Sequence, residues 1–215
     1  MSRKATSSAP SNIALIKYWG ARDLEAVVPQ NTSLSMTLEV CRSTTTVQIE
    51  DEAGEDVIHV QDADGATINP PPSFQRRFRE HTQRLRDRLS FDGRVTAVTS
   101  NSFPSDAGIA SSASGFAALA HAISCAAEAP CSPEEFSVRA RLSGSGSATR
   151  SMMGGFVAWP SQDGDADHPA EKLDLNWDLR DVIALVQSGP KSVSSLEGHR
   201  RAPTSPHYAA RLEAL

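Results

Sequence analysis

A run of small and polar residues at positions 101–115 carries the clearest chemical signal in this sequence. It reads N-S-F-P-S-D-A-G-I-A-S-S-A-S-G and follows Arg94 to Ser100, where the alternating pattern predicts a strand. An alanine-rich stretch from Ala113 to Glu128 comes directly afterwards and predicts a helix. A strand, a Gly/Ser loop and a helix start in this order predict an anion site, because backbone N–H groups and the positive end of the helix dipole converge there.

The common phosphate-binding and hydrolase motifs do not account for this loop. The sequence contains no G-x-x-x-x-G-K-[ST] and no G-x-G-x-x-G after a strand. A second Gly/Ser run, Ser143 to Ser147, has glycine where a G-x-S-x-G elbow needs its nucleophile. The first run instead resembles P-x-x-x-G-[LI]-[GA]-S-S-[AS] of the GHMP small-molecule kinase superfamily, in which this loop and the next helix hold the ATP phosphates.

Other stretches narrow the resemblance to one branch of that superfamily. Residues 9–23 read A-P-S-N-I-A-L-I-K-Y-W-G-A-R-D, and P-Q-N-T-S-L-S-M-T-L begins at Pro29. Residues 144–151 read G-S-G-S-A-T-R-S and are followed by G-G-F-V-A-W at 154–159. The run at positions 101–115 is here called the phosphate loop. Together with it, these stretches resemble the mevalonate diphosphate decarboxylase family in order and spacing, over most of residues 5–190.

The resemblance implies a fold and a division into domains. It predicts an α+β protein with the two-layer N-terminal domain of GHMP kinases, which is similar to domain 2 of ribosomal protein S5 and contains a left-handed βαβ crossover. Residues 1–188 are expected to bind ATP and substrate, and residues 189–215 to begin a C-terminal domain that is largely absent. A homodimer is implied as well.

The function implied is ATP-dependent decarboxylation of a 5-phosphorylated mevalonate in isoprenoid biosynthesis, with ATP as co-substrate and Mg2+ as its counter-ion. In that reaction ATP phosphorylates the tertiary 3-hydroxyl group. Phosphate then leaves, a carbocation-like centre develops at C3, and CO2 departs to give an alkene. The site must therefore bind two anionic ends of one small molecule, a task for which arginine is well suited because its guanidinium stays charged and forms paired hydrogen bonds with oxyanions.

The resemblance assigns roles to individual residues. Arg150 is expected to hold the substrate carboxylate, Lys17 to position substrate and phosphate, and Ser112 to lie near the transferred phosphoryl group. Trp19, beside them in sequence, is expected in the core. The substrate-binding residues expected are Asn12, Tyr18, Ser145, Gly146, Ser147 and Arg150. The ATP-binding residues expected are Asn101, Pro104, Ser105, Gly108, Ala110, Ser111 and Ser112.

One departure from the family pattern concerns substrate charge. The family segment usually reads K-Y-W-G-K, and its last lysine is expected to pair with the substrate diphosphate, but Ala21 stands at that position here. Losing one charge-assisted hydrogen bond costs about 1.5–3 kcal/mol. The sequence therefore favours mevalonate 5-phosphate, giving isopentenyl phosphate. The alternative is the 5-diphosphate, with Arg22 or Arg200 and Arg201 supplying the missing charge.

The other departure concerns length. Family members continue into a portion with D-x-G-P-N, whose aspartate serves as catalytic base, and this motif does not occur in the sequence. Lys191 to Tyr208 resembles the start of that portion, so we expect a fragment rather than a truncated protein that binds ligands without turnover. Two further alternatives are a GHMP kinase similar to mevalonate 3-kinase and a non-catalytic protein that binds ATP or a metabolite.

Composition agrees with a soluble cytoplasmic enzyme. The chain has 215 residues, of which 39% are hydrophobic, and a net charge of −5, which argues against nucleic acid as a partner. Residues 1–10 are polar, so no secretory signal is predicted, and no stretch is long and apolar enough for a membrane span. The cysteines lack metal-ligand spacing and are expected as reduced thiols, and the histidines show no ligand pattern, so no metal site is predicted.

Periodicity and capping signals place these motifs on elements. Helices are predicted from about Pro70 to Leu89, where Phe74, Phe78, Leu85 and Leu89 share one face, and after Ser132, with Glu135 completing a capping box. The strands predicted are Ile13–Tyr18, Ser33–Leu38, Ser43–Glu50 paired with Val57–Val60, Phe156–Trp159 and Val182–Val186. The acidic stretch Asp163–Pro169 is predicted to be a loop.

Overall fold

The structure, a computed structural model, describes residues 2–23, 27–62, 64–104, 109–159, 168–184 and 195–214. Its strands are β1 Ser2–Ile16, β2 Ala21–Asp23, β3 Val28–Pro29, β4 Ser33–Glu50, β5 Val57–Gln61, β6 Thr67–Ile68, β7 Arg94–Asn101, β8 Phe156–Trp159 and β9 Glu171–Leu173. Its α-helices are α1 Pro72–Leu89, α2 Ser111–Ala126, α3 Pro133–Arg141, α4 Ser195–Arg201 and α5 Tyr208–Glu213. Short 3-10 helices lie at Ala148–Arg150 and Ala202–Thr204.

The sheet is built around β4, an 18-residue strand that has neighbours along both edges. One edge pairs antiparallel with β1, while the other pairs antiparallel with β8 near the start of β4 and with β7 near its end. β5 adds to the sheet as the parallel neighbour of β7, and β6 and β9 extend it at its two outer ends. The result is a mixed sheet combined with helices, as expected for the predicted α+β class.

A β-bulge interrupts the pairing of β1 with β4 and marks where both strands reach the functional loops. Pro10 pairs with Arg42, but the next residue, Ser11, pairs with Leu38, so β4 carries extra residues there. The Ser102 hydroxyl donates to the Val40 carbonyl at 2.9 Å and accepts from the Arg42 amide at 2.9 Å. The bulge is thereby tied to the chain that leaves β7 for the phosphate loop.

The main core lies between the sheet and α2. Strand residues such as Val47 and Val95 are fully buried, and so are the helix residues Ala117 and Ile123. The alanines of α2 have small side chains, which lets the helix approach the sheet closely. Burial of each large aliphatic or aromatic side chain stabilises the fold by about 1.5–3 kcal/mol, so this interface is a major source of stability. It also fixes the position of the N-terminus of α2.

The predictions for the regular elements of the phosphate loop and its neighbours are confirmed. β7, α2, α1 and β8 occupy the predicted stretches to within a few residues. The Ser132 hydroxyl caps α3 by accepting from the Glu135 amide at 3.3 Å. The second half of the predicted capping box is wrong, because the Glu135 carboxylate accepts instead from Arg139 at 2.7 Å.

The predicted pairing of Val57–Val60 with Ser43–Glu50 is also wrong. β5 pairs in parallel with β7, because β1 and β7 occupy both edges of the C-terminal half of β4. The strand that fills the first of these edges, β1, begins at Ser2. Its N-terminal half is too polar to show a buried period, so the sequence pattern predicts no strand before Ile13.

The prediction of a buried strand at Val182–Val186 is wrong for the part that the structure describes. Residues 181–184 have no regular structure, and Val182 is 91% exposed. A short apolar run does not by itself identify a strand, since pairing depends on a neighbouring edge that the sequence does not reveal. Residues 185–186, and most of the loop predicted at Asp163–Pro169, lie outside the described residues.

The buried His81 makes stability depend on pH. Its side chain is 0% exposed beside the ring of Phe116, and burial lowers its pKa from 6.5 to about 3, assisted by the nearby cations Arg84 and Arg77. Because the folded pKa lies below the unfolded one, the contribution of His81 is fully present above pH 6.5 and is lost as the pH falls toward 3. We expect the free energy of unfolding to decrease by about 1.4 kcal/mol per pH unit below pH 6.5 from this group.

Urea unfolding of the wild type and of His81→Leu between pH 7 and pH 5 measures this effect. The variant should lose the His81 part of the slope, whereas His207→Leu, at an exposed histidine, should keep it. Equal slopes in the wild type and His81→Leu would show that His81 does not titrate as inferred.

Candidate active site

Arg150 is the charged centre of the site. It lies in the 3-10 helix that follows the second Gly/Ser run, and only 1% of its surface is exposed. Its Nε donates to the Ser35 hydroxyl at 3.0 Å, and its Nη1 donates to the Ser33 hydroxyl. Both serines come from the same face of β4, two residues apart. Neutral hydroxyl groups therefore orient the guanidinium.

The electrostatics of Arg150 favour binding of an anion. Burial lowers its pKa to about 10, so it remains a cation at neutral pH, and no carboxylate of the described residues forms an ion pair with it. A buried charge without a partner costs several kcal/mol, and an oxyanion with matching geometry offsets that cost. The arrangement is suited to holding a carboxylate or a phosphate group.

Tyr18 forms a wall beside Arg150. Its ring stacks on His199 with 4.5 Å between centroids and meets the edge of Trp159 at 5.6 Å. Burial raises the pKa of the Tyr18 phenol, an effect that the nearby Arg150 charge opposes, so the hydroxyl remains protonated at neutral pH. It is available as a neutral hydrogen-bond donor.

Gly146 allows this close packing. A Cβ atom at position 146 would lie 2.5 Å from the Tyr18 hydroxyl oxygen and would overlap the ring of Trp159. The backbone of the second Gly/Ser run therefore lies directly against the rings of Tyr18 and Trp159, here called the aromatic wall. Among the residues of this loop, glycine is needed here for space rather than for an unusual backbone angle.

Asn12 ties β1 to the same loop. Its Nδ2 donates to the Ser147 carbonyl at 3.0 Å and to the Ser151 hydroxyl at 2.8 Å, and the side chain is buried. The Ser147 carbonyl also accepts from the Arg150 amide at 3.3 Å. Within the loop, the Ala148 amide donates to the Ser145 carbonyl at 3.1 Å. These bonds hold the loop in one conformation and aim Arg150 at β4.

Lys17 follows the end of β1, and its side chain is exposed. Its backbone is fixed by Asn31, whose Nδ2 donates to the Lys17 carbonyl at 3.3 Å while its Oδ1 accepts from the Trp19 amide at 3.1 Å. The prediction that Trp19 lies in the core is wrong. The residue is 43% exposed, and its ring packs against the guanidinium of Arg211, whose Cζ lies 5.3 Å from the ring centroid.

The N-terminus of α2 has the features of an anion site. The residue before the helix, Ala110, adopts the left-handed conformation (φ 52°), and its side chain makes no capping hydrogen bond. Ser111 is half-buried and Ser112 is exposed. A helix start with small hydroxyl side chains, and with dipole and backbone N–H groups of the kind that bind anions, fits the phosphates of a nucleotide.

A buried chain of hydroxyl groups supports this helix start. Ser43 of β4 donates to Asn101 Oδ1 at 2.6 Å and accepts from the Ser114 hydroxyl at 2.6 Å, and Ser114 Oγ lies 3.2 Å from the Ser111 carbonyl oxygen. Asn101 thus supports the start of α2 through its hydrogen bond with Ser43. Of the other predicted ATP-binding residues, Pro104 is exposed, and Ser105 and Gly108 lie outside the described residues.

The two loops meet β1 at adjacent residues. The buried Ser11 hydroxyl donates to the Ile109 carbonyl of the phosphate loop, and Asn12 donates to Ser147 of the second loop. The structure thus brings the predicted residues Asn12, Tyr18, Gly146, Ser147 and Arg150 into one contact network. It connects that network to the start of α2 through the backbone of β1.

Sequence reasoning missed three residues that position the site. Asn31, Ser33 and Ser35 all lie in the P-Q-N-T-S-L-S-M-T-L stretch, which resembles the family but in which no residue was predicted to have a role. They are buried, and they occur at every second position. Polar residues with that spacing in a strand point to one face, and this was the signal available in the sequence.

Neither a metal cluster nor a membrane-spanning helix occurs in the part of the chain that the structure describes. Among these residues, no group of three or more histidine, cysteine, aspartate or glutamate side chains is arranged to hold a metal ion. None of the helices in the described ranges is long and apolar enough to cross a membrane.

A family model for the diphosphomevalonate decarboxylase-like N-terminal domain matches residues 9–170. This chain belongs to the diphosphomevalonate decarboxylase family. It is 35% identical to the diphosphomevalonate decarboxylase of Ganoderma lucidum over 229 residues, which covers 98% of this chain and 56% of the relative. It is 37% identical to the Gibberella zeae enzyme, over 91% of this chain and 54% of that one. The chain therefore spans little more than half the length of these relatives.

Solved structures of the diphosphomevalonate decarboxylase family confirm the fold class. The mevalonate diphosphate decarboxylase of Staphylococcus aureus is 30% identical and has a TM-score of 0.84, covering 99% of this chain and 64% of that one. A complex of MDDEF with MVAPP, AMPPCP and magnesium has the same TM-score at 33% identity, with the same coverage. The α+β N-terminal fold predicted from the motifs is thus confirmed. The handedness of the crossover and the domain boundary at residue 188 stay predictions.

Replacing Gly146 by alanine tests the close packing of the loop against the aromatic wall. We expect Gly146→Ala to lower the free energy of unfolding by about 1–3 kcal/mol, because the added methyl group overlaps Tyr18 and Trp159. The matched control is Gly115→Ala within α2, where the nearest atom to the added Cβ is 3.9 Å away. That control should gain about 0.5–1 kcal/mol, since alanine favours the helix. Urea unfolding of both variants with equal effects would contradict the inferred packing.

Proposed function

We propose that this chain supplies the substrate- and ATP-binding part of an ATP-dependent decarboxylase acting on mevalonate 5-diphosphate, a step of isoprenoid biosynthesis in the cytoplasm. The observation that carries the proposal is Arg150, a buried cation that is oriented by hydroxyl groups and has no carboxylate partner among the described residues. The relatives, which are named diphosphomevalonate decarboxylases, support the same reaction.

The choice of the diphosphate reverses the preference drawn from the sequence. The absence of a lysine at Ala21 favoured mevalonate 5-phosphate, but the relatives similar to this chain over more than nine-tenths of its length are named for the diphosphate. Ala21 lies in β2, half-buried and paired with Pro29. Because this position adds no cation to the site, mevalonate 5-phosphate is the second candidate substrate.

Arg150 would bind the substrate carboxylate. Two of its nitrogens are already engaged by Ser33 and Ser35, so the guanidinium is held in one orientation before the substrate arrives. Its remaining N–H groups can form charge-assisted hydrogen bonds with the carboxylate. The protonated hydroxyl of Tyr18, next to Arg150, would add a neutral donor to the same anionic end.

ATP would place its phosphates at the N-terminus of α2. The N-terminus of α2, the left-handed Ala110 and the small side chains of Ser111 and Ser112 fit a triphosphate. Mg2+, when bound with ATP, neutralises charge on the transferred phosphoryl group. The described residues contain no acidic cluster for it, so the ion would be held mainly by the phosphates and by hydroxyl groups such as that of Ser112. Lys17, exposed after β1, would contact the substrate phosphates.

A turnover assay tests the activity and the substrate. The longest native form of the protein is incubated with Mg-ATP and either mevalonate 5-diphosphate or mevalonate 5-phosphate, and CO2 and ADP are measured. We expect CO2 and ADP in equal amounts from the diphosphate. CO2 from the monophosphate alone would select the second candidate. ADP without CO2 would indicate a GHMP kinase, and ATP binding without turnover a non-catalytic protein.

Arg150→Met separates a substrate-binding arginine from a structural one. We expect kcat/KM to fall by about 100- to 1,000-fold, because a buried charge-assisted contact with the substrate is lost. We expect the free energy of unfolding to stay constant or to rise, because an unpaired buried charge is removed.

The matched control is Arg139→Met. Arg139 is equally buried but donates to the Glu135 carboxylate at 2.7 Å and to the Ala129 carbonyl at 2.6 Å. It should lose stability and retain kcat/KM for the fraction that is folded. A large loss of stability in Arg150→Met would show that Arg150 serves the fold instead of the substrate.

A further inference from the structure

The segment that carries Lys17 and Tyr18 has no regular structure of its own. Residues 17–20, here called the strand-end segment, follow the last residue of β1 and precede β2. Tyr18 is buried against Trp159, but Lys17 and Trp19 on either side of it have exposed side chains, so core packing holds only the middle of the segment. Its conformation depends on side chains that reach it from distant parts of the sequence.

Three side chains from the last helices of the chain contact the strand-end segment. Arg211 Nη2 donates to the Lys17 carbonyl at 2.9 Å, and its guanidinium lies 5.3 Å from the centre of the Trp19 ring. The Tyr208 hydroxyl donates to the Trp19 carbonyl at 3.2 Å. His199 stacks on Tyr18 with its ring tilted by only 5° from parallel. The two hydrogen bonds join residues 189 and 194 positions apart in the sequence, so they are features of the tertiary fold.

Gly20 shows that Tyr208 is closely fitted to this segment. Its φ of +77° is a conformation that other residues adopt at a cost, and a Cβ atom there would overlap the Tyr208 hydroxyl. The backbone and the phenol therefore approach each other as closely as the absence of a side chain allows. Asn31 also holds the segment, through the same Lys17 carbonyl that Arg211 contacts.

We propose that Tyr208 and Arg211 are positioning residues that fix the backbone of the strand-end segment, and through it the Lys17 ammonium and the Tyr18 hydroxyl. The proposal rests on the proposed function, in which Lys17 and Tyr18 bind the substrate. Neither Tyr208 nor Arg211 needs to touch the substrate. They act by restricting the backbone of the segment from which the functional side chains project, and a small displacement of such groups is costly for catalysis.

Hydrogen exchange tests the first half of this proposal without any turnover. In Arg211→Leu and in Tyr208→Phe, the amides of residues 18–20 should exchange faster than in the wild type. Arg211→Lys keeps a cation and one donor, and it should restore much of the protection. Glu213→Gln, at an exposed position of the same helix, is the control and should leave exchange at residues 18–20 unchanged. Unchanged exchange in both Arg211→Leu and Tyr208→Phe overturns the proposal.

A double-mutant cycle with Lys17→Met tests the second half. In the longest native form of the protein, Arg211→Leu should lower kcat/KM about 10- to 100-fold, mainly through kcat. In the Lys17→Met background the same change should cost several-fold less than in the wild type, because one of the two groups that Arg211 positions is already gone. Equal costs in both backgrounds mean that Arg211 supports the fold in general, and this overturns the proposal.

The outcomes separate the proposal from the proposed function. If the wild type turns over neither mevalonate phosphate, the proposed function fails, and hydrogen exchange alone decides whether Tyr208 and Arg211 hold the segment. If the wild type is active and both the exchange and the cycle behave as stated, the positioning role is supported.

Discussion

A guanidinium buried among hydroxyl groups is the constraint on which the rest of the site depends. Arg150 is fixed by Ser33 and Ser35 and has no acidic partner among the described residues. A carboxylate partner would orient the arginine equally well, but it would also neutralise the charge and compete with an incoming anion. Hydroxyl groups orient the cation and leave its charge available. The strand β4 and the loop around Gly146 therefore have to exclude water without supplying a negative charge.

The bulge of β1 against β4 solves a second problem, which is how to keep two loops in a fixed relation. Ser11 bonds to the loop before α2, and Asn12 bonds to the loop before Arg150. In regular pairing, adjacent residues of a strand point to opposite faces of the sheet. The register shift after Pro10 interrupts the regular pairing directly before Ser11 and Asn12. Both loops are anchored to the same short stretch of β1. A phosphoryl donor and its acceptor held by these loops would therefore move little relative to each other.

The sequence was informative wherever function requires particular residue types. The two Gly/Ser loops and the helix after the phosphate loop were predicted from local patterns, since small residues directly before a helix serve anion binding better than they serve packing. The roles of Arg150 and Tyr18 were predicted from the resemblance to the family. Long-range pairing was not predictable in this way. The strand from Ser2 is polar and shows no buried period, β5 found an edge on β7 instead of β4, and Val182 is exposed. The supporting residues Asn31, Ser33 and Ser35 were missed because they act by positioning other residues. Such a role does not require a distinctive residue type, so the sequence shows only their regular spacing.

Burying the charge of Arg150 among hydroxyl groups lowers the stability of the domain. A cation buried with hydroxyl partners is less favourable in the empty protein than an apolar side chain of the same volume would be. The large core between α2 and the sheet can offset several kcal/mol of such cost, since it contains many fully buried side chains. An anion that enters the site removes the unfavourable term, so its binding free energy includes relief of a penalty already present in the fold. The strength of anion binding at Arg150 is thus coupled to the stability of the domain. Substitution of Ser33 or Ser35 should therefore change both the affinity for the anion and the free energy of unfolding.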